Sequence, residues 1–154
     1  MPDYLFASTK EEYTAAAVLF REYAAWLNID LAFQHFEKEM KELETMYTAP
    51  HGGIVLCKEN NEFIGCVAIR KIDEENAEMK RMWIKTNQQG KGIGSALLHK
   101  AIELAKECGY KKIKLDTLSH MTPAMNLYKK HGFVEIPAYY HNPHASAVFF
   151  EKLI

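Results

Sequence analysis

The segment Gln89-Gly90-Lys91-Gly92-Ile93-Gly94-Ser95 sets glycine at three alternate positions just ahead of the helix-forming run Ser95-Ala96-Leu97-Leu98. Glycine reaches backbone conformations closed to other residues and carries no Cβ, so successive amides in such a turn can face one oxyanion. The first amides of a helix have no partner within it, and the helix dipole favours negative charge at that end. The expected chemistry is the cradling of a pyrophosphate by the N–H groups of residues 89 to 95. Spacing then narrows the ligand. A P-loop needs Lys-Ser or Lys-Thr after its last glycine and a dinucleotide fingerprint needs G-x-G-x-x-G, and neither occurs here. What fits is Gln-x-x-Gly-x-Gly, on Gln89, Gly92 and Gly94.

The strand-like stretch leading into that turn, Ala77-Glu78-Met79-Lys80-Arg81-Met82-Trp83-Ile84, carries three charges among apolar residues. Strict alternation puts Glu78, Lys80 and Met82 on one face and Met79, Arg81 and Trp83 on the other. Charges there must reach a cleft or pair with each other. Glu78 is accordingly a candidate general base, and Lys80 or Arg81 a candidate anchor for a substrate carboxylate; a Glu78–Lys80 pair at a strand edge is the competing reading. His141-x-x-His144 lacks a third ligand nearby, so no metal is expected, and the loop histidines with Tyr139 and Tyr140 are read as acceptor contacts or solvated loop. Cys57, Cys66 and Cys108 form no C-x-x-C pair and are read as small apolar residues.

The elements that must position these groups follow in order. Tyr4 to Ala7 reads as a strand, and Thr9 with Glu12 as a capping box for a helix whose stripe runs Tyr13, Ala16, Ala17, Phe20, Tyr23, Ala24, Leu27, ending at Asn28. Asp30 is expected to cap a second helix with the stripe Phe33, Phe36, Met40, Leu43, Tyr47; Trp26, Phe33 and His35 are candidates to overhang a cleft. After Pro50-His51-Gly52-Gly53 the period changes, predicting strands at Ile54–Lys58, Phe63–Lys71 and from Ala77, with a bulge or close neighbour at Gly65. The glycine turn opens a helix to Cys108, stopped by Gly109. Lys112–Asp116 is then a strand parallel to the one at Ala77, Pro123 opens a last helix stopped by His131-Gly132, and Phe133–Tyr140 with Ala147–Leu153 form a closing hairpin.

The 154 residues suit one domain, residues 1–154, and 48% hydrophobic with 25% charged residues speaks against disorder. No apolar run is long enough to span a bilayer and no signal sequence opens the chain, so a cytoplasmic protein without membrane partners is expected. The net charge of −1 hides an asymmetry: residues 1–76 hold 14 acids and 7 bases, residues 77–154 hold 6 acids and 12 bases. A basic second half suits a polyanionic cofactor; its aromatics do not interleave with its lysines, which weighs against nucleic acid.

Together, the order of elements, Gln-x-x-Gly-x-Gly after a strand ending Arg81-Met82-Trp83-Ile84, and Ala124-x-x-Leu127-Tyr128-x-x-x-Gly132-Phe133 resemble the GCN5-related N-acetyltransferase (GNAT) family along nearly the whole chain. The tail Ala138-Tyr139-Tyr140-His141-Asn142-Pro143 is similar to that of a subgroup of uncharacterised bacterial members. The resemblance implies an α/β (α+β) fold: one mixed, mostly antiparallel sheet of about seven strands with four helices on its two faces, in the order β-α-α-β-β-β-α-β-α-β-β. It implies acetyl-CoA as co-substrate, a small-molecule, amino-acid or peptide amine as acceptor, and direct transfer with both bound. On this pattern the main chain of Met82, Trp83 and Ile84 takes the pantetheine arm, and Gln89, Gly90, Lys91, Gly92, Ile93, Gly94 and Ser95 take the pyrophosphate. Lys91, Lys129 and Lys130 are candidates for the outer phosphates. Tyr128 is the implied general acid; a phenol and a thiol differ by about 1.5 units in ordinary pKa, so that proton transfer is uphill by only about 2 kcal/mol. Met121 departs from the family's usual asparagine, leaving Thr117, Ser119 or water to touch the arm. A non-catalytic acyl-CoA sensor is the alternative reading, and a homodimer is an assembly the sequence leaves open.

Overall fold

A computed structural model describes residues 1–154, the side chain of Phe33 excepted. The expectations that Phe33 belongs to an apolar stripe and overhangs a cleft therefore lie outside the described residues. Seven strands form one sheet in the order β1-β2-β3-β4-β5-β7-β6, with β1 Asp3–Phe6, β2 Gly53–Glu59, β3 Glu62–Lys71, β4 Asn76–Ile84, β5 Lys112–Leu118, β6 Val134–Ile136 and β7 Ala147–Leu153. All neighbours are antiparallel except β4 and β5. One face packs on α4 (Ile93–Glu107) and α5 (Thr122–Lys130) through Val67, Met79, Leu97, Leu98, Ala101 and Tyr128. The other packs on α1 (Lys10–Leu27), α2 (Phe36–Lys41) and α3 (Leu43–Met46) through Phe20, Phe36, Leu43, Tyr47, Leu56 and Trp83.

Local chemistry explains most boundaries. Thr9 and Glu12 form the capping box at the start of α1, and Asn28 ends it in the left-handed conformation at φ 54°. Asp30 does not occupy the expected N-cap: its Oδ1 accepts from the Ala32 amide at 2.8 Å, but the element that follows is a 3-10 turn whose N-cap is Leu31. The single second helix expected from the apolar stripe is broken into that turn, α2 and α3, because His35 sits at φ 57° and Glu42 at φ −120°, both outside helical geometry. The stripe itself is kept, with Phe36, Leu43 and Tyr47 buried. The expected strand through Tyr140 stops at Ile136, where Pro137, lacking an N–H, cannot continue the ladder. The chain from Pro137 to Ser146 instead crosses the open end of the sheet.

Two irregularities create that open end. Parallel pairing of β4 with β5 involves only Asn76–Glu78 opposite Lys112–Lys114; beyond those residues the strands part. Immediately after, β4 bulges: Cys66 pairs with Trp83 and Ala68 with Lys80, so Arg81 and Met82 share the place opposite Val67. Arg81 takes up the extra length at φ 60°, a left-handed conformation that costs a non-glycine residue on the order of 1 kcal/mol. The Cys66 thiol donates to the Arg81 carbonyl at 3.3 Å, giving the displaced group a partner. The bulge also corrects the alternation expected from sequence. Met82 joins Ala77 and Met79 on the α4 face, while Arg81 turns to the same side as Lys80, both reaching Glu39.

Candidate active site

Where β4 and β5 part, a narrow cavity of about 50 Å³ lies between Met79, Lys80, Arg81 and Met82 of β4 and Leu115 to Leu118 of β5, roofed by Tyr23, Gln34 and Tyr128. A broader cavity of about 540 Å³ adjoins it on the α2 side, sharing Gln34 and Lys80 as a common wall and bounded by Glu39, Arg70, Glu78, Tyr139 and Tyr140. The larger volume is of the size that holds a small molecule.

The glycine turn sits at the far end of β4. Gly90 and Gly92 stand at φ 79° and 83°, and Gly92 is the N-cap of α4. Among the described residues, no protein carbonyl or side chain accepts from the amides of residues 90 to 95. A Cβ at Gly90 or Gly92 would meet no atom within 4 Å, so the loop's free donors face open space. Gly94 acts through packing instead. A Cβ on it would stand 3.3 Å from Ile84 Cδ1 and 3.4 Å from Leu127 Cδ2, so its absence lets α4 close onto β4 and α5. The side chains around the loop hold it together. Gln89 Nε2 donates to the Ile84 carbonyl at 2.9 Å, Lys91 Nζ to Gln88 Oε1 at 3.0 Å, and Ser95 Oγ lies 3.0 Å from His131 Nε2. Ile93 is buried as the first core residue of α4. The edges of Met82, Trp83 and Ile84 that face β5 have no strand beside them.

Tyr128 is 7% exposed, held on α5 against Phe133 and Phe150, and its hydroxyl makes no hydrogen bond among the described residues although it borders the narrow cavity. Burial raises its pKa well above the ordinary value, with the neighbouring Tyr23 and Asp116 adding to the shift, so the phenol is protonated at neutral pH. At the position where the resemblance expects asparagine, the Met121 sulfur accepts from the Thr117 hydroxyl at 3.7 Å, and both border the same cavity.

Of the remaining expected site residues, Glu78, Lys80, Tyr139 and Tyr140 border the broad cavity, while Arg81 borders the narrow one. Glu78 is buried with both oxygens engaged, Oε1 by Arg70 Nε at 2.7 Å and Oε2 by the Tyr139 hydroxyl at 2.6 Å. Arg81 is gripped by Glu39 through two bonds of 3.1 and 2.8 Å and donates to Gln34 Oε1 at 2.8 Å. Gln34 Nε2 donates onward to the Tyr140 hydroxyl at 3.0 Å, which in turn donates to Asp116 Oδ2 at 2.5 Å. His35 borders the broad cavity, His141 is exposed and outside both cavities, and Trp26, 48% exposed, leans on Trp83 with ring centroids 5.3 Å apart. No group of three His, Cys, Asp or Glu residues suited to a metal occurs among the described residues, and no helix there is long and apolar enough to cross a membrane.

Residues missed from sequence are Asp116, Gln34, Glu39 and Asn142. Asp116 left a faint signal, as the lone carboxylate in the alternating strand Lys112–Leu118. The other three had none, since their roles depend on side chains converging from separate elements.

A profile of the Acetyltransferase (GNAT) family matches residues 20–133. An uncharacterised N-acetyltransferase of Schizosaccharomyces pombe is 33% identical over 134 residues, covering 86% of this chain and 82% of that one. Among solved structures, an acetyltransferase of Streptococcus agalactiae superposes with a TM-score of 0.81 at 21% identity, over 99% of this chain and 98% of the other. A GNAT family acetyltransferase of Elizabethkingia anophelis with acetyl-CoA bound does so with a TM-score of 0.68 at 21% identity, over 99% and 98%. The match over most of the chain shows that the protein belongs to the GNAT family of acetyltransferases, enzymes that draw the acyl group from acetyl-CoA.

Proposed function

We propose that the protein acetylates a primary amine of a small molecule, amino acid or peptide, with acetyl-CoA and the amine bound together and the amine attacking directly. The observation that carries this reading is the hydroxyl of the buried Tyr128, which is protonated and, among the described residues, without a hydrogen-bond partner at the wall of the cavity between β4 and β5. Acetyl-CoA, when bound, supplies an acetyl group activated as a thioester. The amides of residues 90 to 95 suit its pyrophosphate, with Lys91, Lys129 and Lys130 exposed nearby for the outer phosphates, and the edge of Met82 to Ile84, with no strand beside it and its Ile84 carbonyl held by Gln89, suits the pantetheine arm. Tyr128 then gives its proton to the departing sulfur. Burial that raises a phenol's pKa makes it a weaker acid, but it also raises the proton affinity of a thiolate in the same cavity, so the transfer stays near balance. Among the sequence candidates for the acceptor side, Glu78 serves to hold Tyr139 and Arg70 at the cavity wall.

The test is release of free thiol from acetyl-CoA across a panel of amines. Amine-dependent turnover is expected, and Tyr128→Phe should lower kcat by about 100-fold or more while coenzyme A binds as before. Slow thioester hydrolysis indifferent to every amine would overturn the reading.

A further inference from the structure

Two charged groups at the parted strands have hydrogen-bonding capacity that the protein leaves unspent. Lys80 Nζ, on a side chain only 9% exposed, stands 3.8 Å from Glu39 Oε1, beyond hydrogen-bond reach, and makes no hydrogen bond among the described residues. Glu39 cannot serve it better: one oxygen accepts from Arg81, the other from Arg81 and the Tyr47 hydroxyl. Across the gap, Asp116 Oδ2 accepts from Tyr140 and from Asn142 Nδ2, while Oδ1 accepts no hydrogen bond among the described residues. Both residues line the narrow cavity with Tyr128, and Lys80 also lines the broad one. A half-buried ammonium and a half-buried carboxylate, each short of a partner and set on neighbouring strands, form a site complementary to a molecule carrying the reverse pair of charges.

We propose that the acceptor is an amine that also bears a carboxylate, an amino acid or a compound like one, with its carboxylate on Lys80 Nζ and its ammonium on Asp116 Oδ1. This rests on the acetyltransferase reading above and names its substrate class. Burial and the neighbouring Arg81 lower the pKa of Lys80, with Glu39 opposing, and a bound carboxylate would offset that cost. Burial raises the pKa of Asp116, with Glu78 adding to it and hydrogen bonds from Tyr140 and Asn142, together with Lys80, offsetting part. That shift brings a carboxylate closer to the range in which it can take a proton from an ammonium. Asp116 thus accepts the first ammonium proton: an N–H bond breaks, an O–H bond forms, and the freed nitrogen lone pair attacks the acetyl carbonyl carbon as the C–S bond breaks. Tyr128 protonates the sulfur, its phenolate recovers a proton from the nitrogen, and Asp116 returns its own to solvent, so one proton is released per turnover. The charged and titratable groups facing Asp116 are Tyr23 of α1, Glu78 and Lys80 of β4, Tyr128 of α5, and Tyr139 and Tyr140 of the closing loop.

The test compares amino acids with their methyl esters and their decarboxylated amines, by thiol release from acetyl-CoA, alongside calorimetric binding of coenzyme A. The free acid should exceed its ester and its amine by about tenfold or more in kcat/KM. That ratio should narrow to under about threefold in Lys80→Gln and return in Lys80→Arg, while Asp116→Asn should lower kcat and abolish the acid limb of its pH profile. Acids and esters turned over equally by the unaltered protein would overturn the proposal without touching the acetyltransferase reading, and so would coenzyme A binding with no acid in the panel accelerating thiol release. Failure to bind coenzyme A at all would strike the earlier reading instead.

Discussion

The glycine turn with the end of β4, and the cluster around the two cavities, are built from different materials. On the side proposed for acetyl-CoA the groups are backbone: amides of residues 90 to 95 with no acceptor among the described residues, and an edge at Met82 to Ile84 with no strand beside it. On the acceptor side they are side chains from separate elements, linked as Glu39, Arg81, Gln34, Tyr140, Asp116 and Asn142. A main-chain site depends on conformation, which glycine and a helix start can fix, and tolerates change in most surrounding side chains. A side-chain network depends on every member, because each buried charge lost leaves another uncompensated. The donor side should therefore fail locally when altered, and the acceptor side cooperatively.

The largest expected effect breaks the network at its most buried link. Glu39→Ala leaves the Arg81 guanidinium, 3% exposed, without its carboxylate, and should cost about 3–5 kcal/mol in urea unfolding. A loss under about 1 kcal/mol would mean that the acceptor side is no more cooperative than the surface. Gly92→Val probes the glycine turn: a β-branched residue at φ 83° is strained by about 1–2 kcal/mol, and coenzyme A affinity should fall with it even though its Cβ meets no atom within 4 Å.

Titration sharpens the contrast within the network. Burial alone would raise the Glu39 carboxyl, but hydrogen bonds and charge from Arg81 hold it below its ordinary value, so its contribution to stability is present above the usual carboxylate range and is lost as pH falls through the depressed value. Asp116 runs the other way: its raised pKa means that ionisation opposes folding, and that opposition disappears as pH falls through the raised value. Unfolding midpoints measured between pH 7 and pH 3 should accordingly show the deficit of Glu39→Gln and the gain of Asp116→Asn both shrinking toward the unaltered protein. The smallest effect lies far from both sides. Thr9→Ala removes the α1 cap and should cost about 1 kcal/mol while leaving coenzyme A affinity unchanged.

The same division explains what can be read from the sequence. Thr9 with Glu12, the apolar stripes, the glycine turn and the parallel pair at Ala77 and Lys112 are set by neighbours in the chain or by period, and the structure has them. The break of the second helix at His35 and Glu42 and the end of β6 at Ile136 depart from the expected spans. The bulge at Arg81 is hidden because nothing in Lys80-Arg81-Met82 distinguishes a left-handed arginine from an extended one; its partner Glu39 lies 42 residues away. Asp116 is hidden for a similar reason, since its setting comes from Tyr140 and Asn142, in and beyond a stretch whose pattern predicts a strand and which the structure shows as loop.

The backbone cradle can be tested most directly by following amide nitrogen and proton shifts while coenzyme A is added to the purified protein. Saturable changes concentrated at residues 90 to 95, accompanied by binding heat, are the predicted result. Binding whose shifts fall elsewhere, or no change at those amides at saturating coenzyme A, would contradict it.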